Sequence, residues 1–251
     1  MLRGFLTNPY VEGILTNILS VILVGLVVAS WYLARRRRLL SFFGLRARRR
    51  VILYASRLDV DPGGARGSDG LPRGYQGPAI PEYEARIIAD VQGFFASFAP
   101  RMVRHARGPL LRWGDIEVEA TVAPATNRDI RLDGTLITVG SPAYNLVSRY
   151  AEDRLQTQVR FAADNSELRT QTGAVIGDAH HAFVQRAFDK ESGTSVFYVA
   201  GANRTGTSAA VRHLLRDWRQ MSARYPQDVN FCEVLRVTGP AEYTVTLRLT
   251  D

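Results

Sequence analysis

The feature that most constrains this chain is an apolar segment near the N-terminus that carries no formal charge. Residues 14–34 read ILTNILSVILVGLVVASWYLA. In a helix that rises 1.5 Å per residue they extend about 30 Å, which matches the hydrocarbon core of a bilayer. Trp31 and Tyr32 come at the end of the segment, where amphipathic rings favour the headgroup region. The sequence therefore predicts a single transmembrane helix.

Basic residues after this segment predict its orientation. Residues 35–50 contain eight arginines and no acid, whereas Arg3 is the only basic residue before residue 14. A cleavable signal peptide would carry its positive charge before a shorter apolar core. The observed order predicts an N-terminus outside the cell (inner) membrane and a cytoplasmic C-terminal part. The eight arginines are Arg35, Arg36, Arg37, Arg38, Arg46, Arg48, Arg49 and Arg50.

The predicted organisation has four parts. Residues 1–13 form a short extracytoplasmic tail, 14–34 the transmembrane helix, 35–50 a basic juxtamembrane segment and 51–251 a cytoplasmic domain. Five apolar residues lie between the two groups of arginines in the juxtamembrane segment. It either acts as a topology signal alone or lies as a basic amphipathic stretch on anionic lipid headgroups. The apolar residues are Leu39, Leu40, Phe42, Phe43 and Leu45.

Charge and cysteine content limit the partners of the predicted domain. The net charge of +8 comes from the juxtamembrane arginines, because residues 51–251 carry 23 basic and 23 acidic groups. A nucleic-acid-binding domain needs an excess of positive charge to neutralise phosphates, so we expect no nucleic-acid partner. Cys232 is the only cysteine and cannot form an intrachain disulfide, which agrees with a reducing compartment.

The order of apolar runs in residues 51–251 predicts an α/β domain of three layers with a mixed, mostly parallel sheet. Residues 51–56 form a buried strand, 61–81 a long loop rich in glycine and proline, 81–98 an amphipathic helix and 116–122 a half-exposed strand. Short antiparallel strands are expected at 159–162, 174–176 and 182–188. Residues 230–237 and 243–249 alternate with a period of two and predict a C-terminal hairpin.

Two segments share one pattern: an apolar strand, a glycine, a polar turn and the start of a helix. The first passes through Gly140, Ser141 and Asn145, and the second through Gly201 and Thr207. In a parallel sheet such turns gather at one edge, where helix N-termini offer N–H groups to anions. We therefore expect a shared ligand site there. The alternative is that the glycines permit tight turns and the polar residues cap helices.

The second turn has the spacing of a phosphate-binding P-loop. Residues 201–208 read GANRTGTS, and Thr207 stands where the P-loop has its lysine. Without that cation we expect no nucleoside triphosphate hydrolysis, although the backbone can still hold an anion. The predicted ligand-binding residues are Gly140, Ser141, Asn145, Gly201, Asn203, Arg204, Thr205, Gly206 and Thr207.

Other candidate chemistry is weak. His180 and His181 are adjacent but lack further ligands at suitable spacing, so we expect no metal, and no cofactor is implied. No catalytic nucleophile with a nearby general base stands out, so an enzyme is the less favoured hypothesis. The carboxylates expected nearest the site are Asp59, Asp61, Glu152 and Asp153.

The two turns together resemble those of a poorly characterised prokaryotic group of Rossmann-like domains that are similar to nucleotide-sensing modules. Some members are attached to membrane helices or signalling domains. In the first motif Ser141 stands where that group has a second glycine. The resemblance implies a Rossmann-like fold and a membrane-anchored sensor or effector for a nucleotide-like or other anionic ligand. A nucleotide-processing glycosidic-bond hydrolase or transferase, and a structural anchor that recruits proteins, are the alternatives, and a second copy of the chain is a candidate partner.

Overall fold

The computed structural model describes residues 9–59, 78–98, 116–164, 167–227, 229–239 and 241–251. It divides into two compact units, Met1–Leu39 and Leu40–Asp251. The predicted loop at residues 61–81 lies almost entirely outside the described residues, apart from a short strand at its end. Most of the predicted N-terminal tail also lies outside them.

Helix α1 (Pro9–Phe42) contains the predicted membrane segment. Its stretch Thr16–Phe42 has a mean hydropathy of 2.0 in its most apolar part, none of which is buried. This is the one helix among the described residues that is long and apolar enough to cross a membrane. The helix continues eight residues beyond Ala34, into the arginine run.

A sheet of seven strands forms the centre of the second unit, and its order is β12-β11-β9-β10-β5-β1-β4. Strands β4, β1, β5 and β10 are parallel neighbours, whereas β9, β11 and β12 pair antiparallel. The strands are β1 (Arg50–Ala55), β4 (Glu117–Val122), β5 (Thr135–Val139), β9 (His181–Asp189), β10 (Thr194–Gly201), β11 (Phe231–Gly239) and β12 (Glu242–Thr250). The mixed sheet and the C-terminal hairpin of β11 and β12 confirm the predicted fold class.

Helices and a small sheet cover the two faces and complete three layers. Helices α2 (Glu82–Ala96) and α4 (Arg204–Arg224) pack on one face, and the amphipathic spacing after Pro81 correctly predicts the first of them. Helix α3 (Leu146–Arg154) packs on the other face with a small three-stranded sheet. That sheet consists of β6 (Val159–Phe161), β7 (Leu168–Thr170) and β8 (Val175–Gly177), while β2 (Leu58–Asp59) and β3 (Pro78–Ala79) pair separately.

Two strands differ from the sequence prediction. The short strand expected at residues 182–188 is the nine-residue β9, which lies inside the main sheet and is buried almost throughout. Strand β7 was not predicted, because its three residues LRT show no alternation. A strand that is buried on both faces normally reads as a continuous apolar run. Gln185 and Arg186 interrupt that run in β9, so its sequence does not indicate a central position in the sheet.

The compact unit begins at Leu40, whereas the sequence places the start of the domain at residue 51. Phe42, Phe43 and Leu45 are buried in it. The Phe43 ring centroid lies 4.9 Å from that of Phe197 in β10 and 5.1 Å from that of Phe95 in α2. These three apolar side chains therefore belong to the core and are not available to lipid.

We expect a fragment that begins at Leu40 to be markedly more stable than one that begins at residue 51. Removal of residues 40–50 takes Phe42, Phe43 and Leu45 out of the core, and loss of one large buried side chain costs about 2 to 5 kcal/mol. Urea unfolding of the two fragments measures the difference. Equal midpoints would show that residues 40–50 are not part of the folded unit.

Candidate functional site

The two predicted turns lie side by side at one edge of the main sheet. We call this the carboxyl edge, since the parallel strands β1, β5 and β10 all end there. Val139 pairs with Val199, and the Gly140 N–H donates a hydrogen bond to the Val199 carbonyl at 3.0 Å. Neighbouring strands are about 4.8 Å apart, so Gly140 and Gly201 end adjacent strands as the sequence predicts.

The chain leaves these strands towards opposite faces of the sheet. Helix α3, which follows β5, packs on the face of Tyr54 and Tyr198, whereas α4, which follows β10, packs on the face of Phe197. Strand β1 likewise leads to α2 on the face of α4. Connections that diverge in this way open a crevice at the ends of parallel strands, where ligands of α/β proteins bind.

Gly140 lies against a buried carboxylate. Its φ is +94°, and a Cβ there would come within 2.7 Å of Ser56 Oγ and 3.3 Å of Glu84 Oε1. Glu84 is fully buried and accepts hydrogen bonds from the Ser56 N–H at 2.6 Å and the Tyr83 hydroxyl at 2.8 Å. Burial, followed by the Glu84 charge, raises the pKa of Tyr83. Glycine is therefore required at position 140 on both conformational and steric grounds.

Asn145 joins the ends of β1 and β5 to the start of α3. Its side-chain amide donates to the Tyr54 and Val139 carbonyls at 3.0 and 2.9 Å, and its oxygen accepts from Val147 and Ser148 N–H. It is buried, and these contacts use both of its amide hydrogens and cap the helix. A ligand-binding role for Asn145 stays a prediction, and any such role would be indirect.

Gly201 and Gly206 allow β10 and α4 to approach closely. A Cβ on Gly201 would lie 2.5 Å from the Thr207 nitrogen, and one on Gly206 would lie 3.2 Å from the Gly201 Cα. The Thr207 hydroxyl oxygen accepts a hydrogen bond from the Gly201 N–H at 3.1 Å. The P-loop spacing here thus serves helix-to-strand packing, and its use as a phosphate cradle stays a prediction.

Three predicted residues keep groups that a ligand can reach. Asn203 caps α4 by accepting from the Gly206 N–H at 2.8 Å, which leaves the N–H groups of Arg204 and Thr205 at the start of the helix. Among the described residues, neither of these N–H groups nor the Ser141 hydroxyl makes a hydrogen bond. Arg204 is exposed and Ser141 is half-buried. Ser141, Arg204 and Thr205 are therefore the predicted residues with free donors.

The carboxyl edge also holds residues that the sequence did not place there. Strand β9 begins at this edge, so the turn before it lies beside the Gly201 turn. The Ala202 N–H donates to the His181 carbonyl at 3.1 Å, and the His181 ring lies 2.9 Å from Asp178 Oδ1. Hydrogen bonds from the His180 N–H and the His181 ring lower the pKa of Asp178. The position of Asp178 and His181 follows from the pairing of β9 with β10, which the sequence alone does not reveal.

Tyr144 is a second residue that the sequence analysis left out. It belongs to the turn between Gly140 and α3, and 60% of its surface is exposed although it is a large aromatic side chain. An exposed ring beside the ends of the parallel strands offers a face on which a planar ligand can stack. Its place between a strand-ending glycine and a helix cap is the signal that could have identified it.

Glu152 on α3 has the electrostatics of an acid or base. Burial raises its pKa to about 7, although the Phe161 N–H and the Tyr198 hydroxyl donate hydrogen bonds to it at 3.1 and 2.9 Å. Tyr198 also contacts Ser148, whose hydroxyl donates to the Gly140 carbonyl at 2.8 Å. A chain of hydroxyl groups thus runs from Glu152 to the Gly140 turn.

A second buried charge cluster lies on the opposite face, away from the carboxyl edge. Glu233 in β11 is 1% exposed and accepts hydrogen bonds from Tyr225 at 2.9 Å, from Arg224, and from the His213 ring at 2.7 Å. Burial opposes ionisation, but these donors and charges outweigh it and lower the pKa of Glu233 to about 2. The cluster ties α4 to β11.

No protein-family model, curated protein or solved structure matches this chain. Within the described part of the chain, no group of three or more His, Cys, Asp or Glu residues is arranged to hold a metal ion. The site is therefore characterised by its own geometry.

Glu152→Gln should flatten the pH dependence of stability. Between pH 4.5 and 7 the folded state keeps the Glu152 proton that the unfolded state releases, so the unfolding free energy falls by up to about 1.4 kcal/mol per pH unit as the pH rises. Urea unfolding from pH 4 to pH 8 measures this slope. Glu191→Gln, an exposed glutamate at the other edge of the sheet, should retain it. A wild-type slope that Glu152→Gln leaves unchanged would contradict the assignment.

Proposed function

We propose that this chain is a membrane-anchored cytoplasmic sensor or effector that binds a nucleotide-like, anionic ligand at the carboxyl edge and passes the binding event to the membrane helix. The observation that carries the proposal is the position of β10. One end of this strand forms the Gly201 turn, and its middle packs against Phe42 and Phe43 at the end of α1.

The ligand chemistry is inferred from the free groups at the carboxyl edge. The N–H groups of Arg204 and Thr205 and the Arg204 guanidinium suit a phosphate at a helix N-terminus. The Ser141 hydroxyl can donate to the same anion from the neighbouring turn. Tyr144 offers a face for a base. An anion joined to a planar ring, as in a nucleotide, uses all of these groups together.

Transmission to the membrane helix is supported by the packing of Phe197. This residue lies four positions before Gly201 in β10, and its ring centroid is 5.4 Å from that of Phe42 and 4.9 Å from that of Phe43. Phe42 is the last residue of α1. A ligand that shifts the Gly201 turn or α4 therefore acts on side chains that adjoin the end of this helix.

A nucleotide-processing enzyme is the second candidate, and Glu152 favours it. A carboxyl group whose pKa is about 7 can both give and accept a proton near neutral pH. The hydroxyl groups of Tyr198 and Ser148 connect it to the Gly140 turn. In that case Glu152→Gln should abolish the release of free base from a bound nucleotide, detected by chromatography, without preventing binding.

Mass spectrometry of small molecules that co-purify with the full chain tests the ligand. We expect a phosphorylated, ring-containing compound, and Arg204→Ala should reduce its affinity by about 1.5 to 3 kcal/mol because a charge-assisted contact is lost. Tyr144→Ala should also reduce its occupancy, whereas Tyr144→Phe keeps the stacking ring.

Lys190→Ala is the matched control, because it removes one exposed positive charge at the opposite edge of the sheet. It should leave ligand occupancy unchanged. Equal losses in Arg204→Ala and Lys190→Ala would indicate nonspecific charge attraction. If no small molecule co-purifies and none of a panel of nucleotides binds, the structural anchor becomes the better explanation.

The orientation is tested with a reporter fused after Asp251. The arginines that follow Tyr32 should hold the C-terminal part in the cytoplasm, so a reporter that works only outside the cytoplasm should stay inactive. Replacement of Arg35, Arg36, Arg37 and Arg38 by glutamine should activate it in part of the molecules. Activity in the unaltered chain would contradict the proposed topology.

A further inference from the structure

A small pocket lined by glycines and hydroxyl side chains lies where β5 and β10 begin, at the edge opposite the carboxyl edge. Its volume is about 240 Å³, which is room for roughly eight water molecules at about 30 Å³ each. Its floor is buried and its mouth is exposed. Its lining consists of Gly44, Ala47, Arg48, Gly134, Thr135, Ser192, Gly193, Thr194 and Ser195.

The floor contains a hydroxyl group that is free to bind a ligand. Ser195 is 6% exposed, and its hydroxyl makes no hydrogen bond to any residue that the structure describes. It faces Gly44, since a Cβ on that glycine would lie 2.7 Å from Ser195 Oγ. The residue is buried but its oxygen opens into the pocket, so the hydroxyl can donate a hydrogen bond to a ligand there.

The other hydroxyl groups on the floor present acceptors. Thr135 donates its proton to the Phe43 carbonyl at 2.6 Å, and Thr194 donates to the Leu132 carbonyl at 2.9 Å. Ser192 donates to Asp189 at 2.7 Å. Their oxygens therefore have lone pairs left for a ligand that carries hydroxyl donors.

Arg48 supplies positive charge at the mouth. One of its N–H groups donates to the Leu132 carbonyl at 2.7 Å, which anchors the guanidinium and leaves its other donors for a ligand. Among the described residues, Asp189 is the one carboxylate to which a lining side chain donates a hydrogen bond, and that donor is Ser192. An anion with one or more hydroxyl groups thus matches the lining.

The covalent chain keeps this pocket close to the proposed membrane. Gly44 follows Ala34, the last residue of the predicted membrane segment, by ten residues. Even a fully extended chain of ten residues spans at most about 36 Å, and helical residues span about 1.5 Å each. Lipid headgroups at the cytoplasmic surface are therefore anions that lie near the pocket. They are also present there at a high local concentration.

We propose that this pocket binds the headgroup of an anionic phospholipid with free hydroxyl groups, such as phosphatidylglycerol. Arg48 and Ser195 donate to the phosphodiester, and the oxygens of Thr135 and Thr194 accept from the headgroup hydroxyls. The inference rests on the proposed membrane attachment and adds a specific lipid site to it.

Native mass spectrometry of the full chain in detergent, titrated with phosphatidylglycerol or phosphatidylcholine, tests the site. The wild type should hold one tightly bound phosphatidylglycerol and no phosphatidylcholine. Arg48→Gln should weaken that binding about tenfold or more, since a charged hydrogen bond is lost, and Ser195→Ala should weaken it less. Arg46→Gln is the matched control, because it removes the same charge from an exposed residue outside the pocket, and it should change binding less than about twofold.

Three outcomes would overturn the site. Equal losses of phosphatidylglycerol binding in Arg48→Gln and Arg46→Gln would show that the arginine run attracts the lipid nonspecifically. Displacement of phosphatidylglycerol by millimolar inorganic phosphate would show that the pocket binds a free anion. A wild type that holds no phosphatidylglycerol would refute it directly. Failure of the membrane anchor is distinguishable, because the full chain would then remain soluble and monodisperse without detergent.

Discussion

The burial of Phe42 and Phe43 is the contact on which the rest of the structure depends. Arg186, a buried cation in β9, donates a hydrogen bond to the Phe42 carbonyl at 3.1 Å, and its guanidinium lies 5.5 Å from the Phe42 ring. Further N–H groups of Arg186 donate to the Val229 carbonyl. A charge buried this deeply is tolerated only when its donors are satisfied, so Arg186 fixes the end of α1 in the core.

The glycines at the carboxyl edge show why a motif and its function are separate questions. Gly201 and Gly206 have the spacing of a phosphate loop, yet both lie where β10 and α4 approach closely, and a Cβ on Gly201 would come within 2.5 Å of the helix backbone. The groups that remain for a ligand belong to Ser141, Arg204 and Thr205, and none of them belongs to a glycine. Packing explains the glycines, and free donors point to the chemistry.

Much of the fold could be predicted, because the spacing of apolar residues along a helix or strand shows which of its faces is buried. The helix after Pro81, the strands that end at Gly140 and Gly201, and the terminal hairpin all follow from local patterns. What could not be predicted depends on contacts between distant segments. Phe42 and Phe43 lie between two groups of arginines, so the sequence allowed a lipid-facing stretch there and did not reveal their burial in the core. Glu152 showed no sign in sequence of the burial that raises its pKa to about 7.

The two proposed sites lie at opposite ends of the same strands, which restricts how they can be coupled. Strands β5 and β10 are five and eight residues long, so at about 3.3 Å per residue the sites are roughly 16 to 26 Å apart. A close-packed sheet that is buried on both faces does not bend readily over that distance. Coupling is therefore expected to run through the helices that can shift against the sheet. Trp218 of α4 lies 6.5 Å from the Phe42 ring, ring centroid to ring centroid. A movement of α4 at its Arg204 end thus reaches the end of α1 through side-chain packing, without deformation of the sheet.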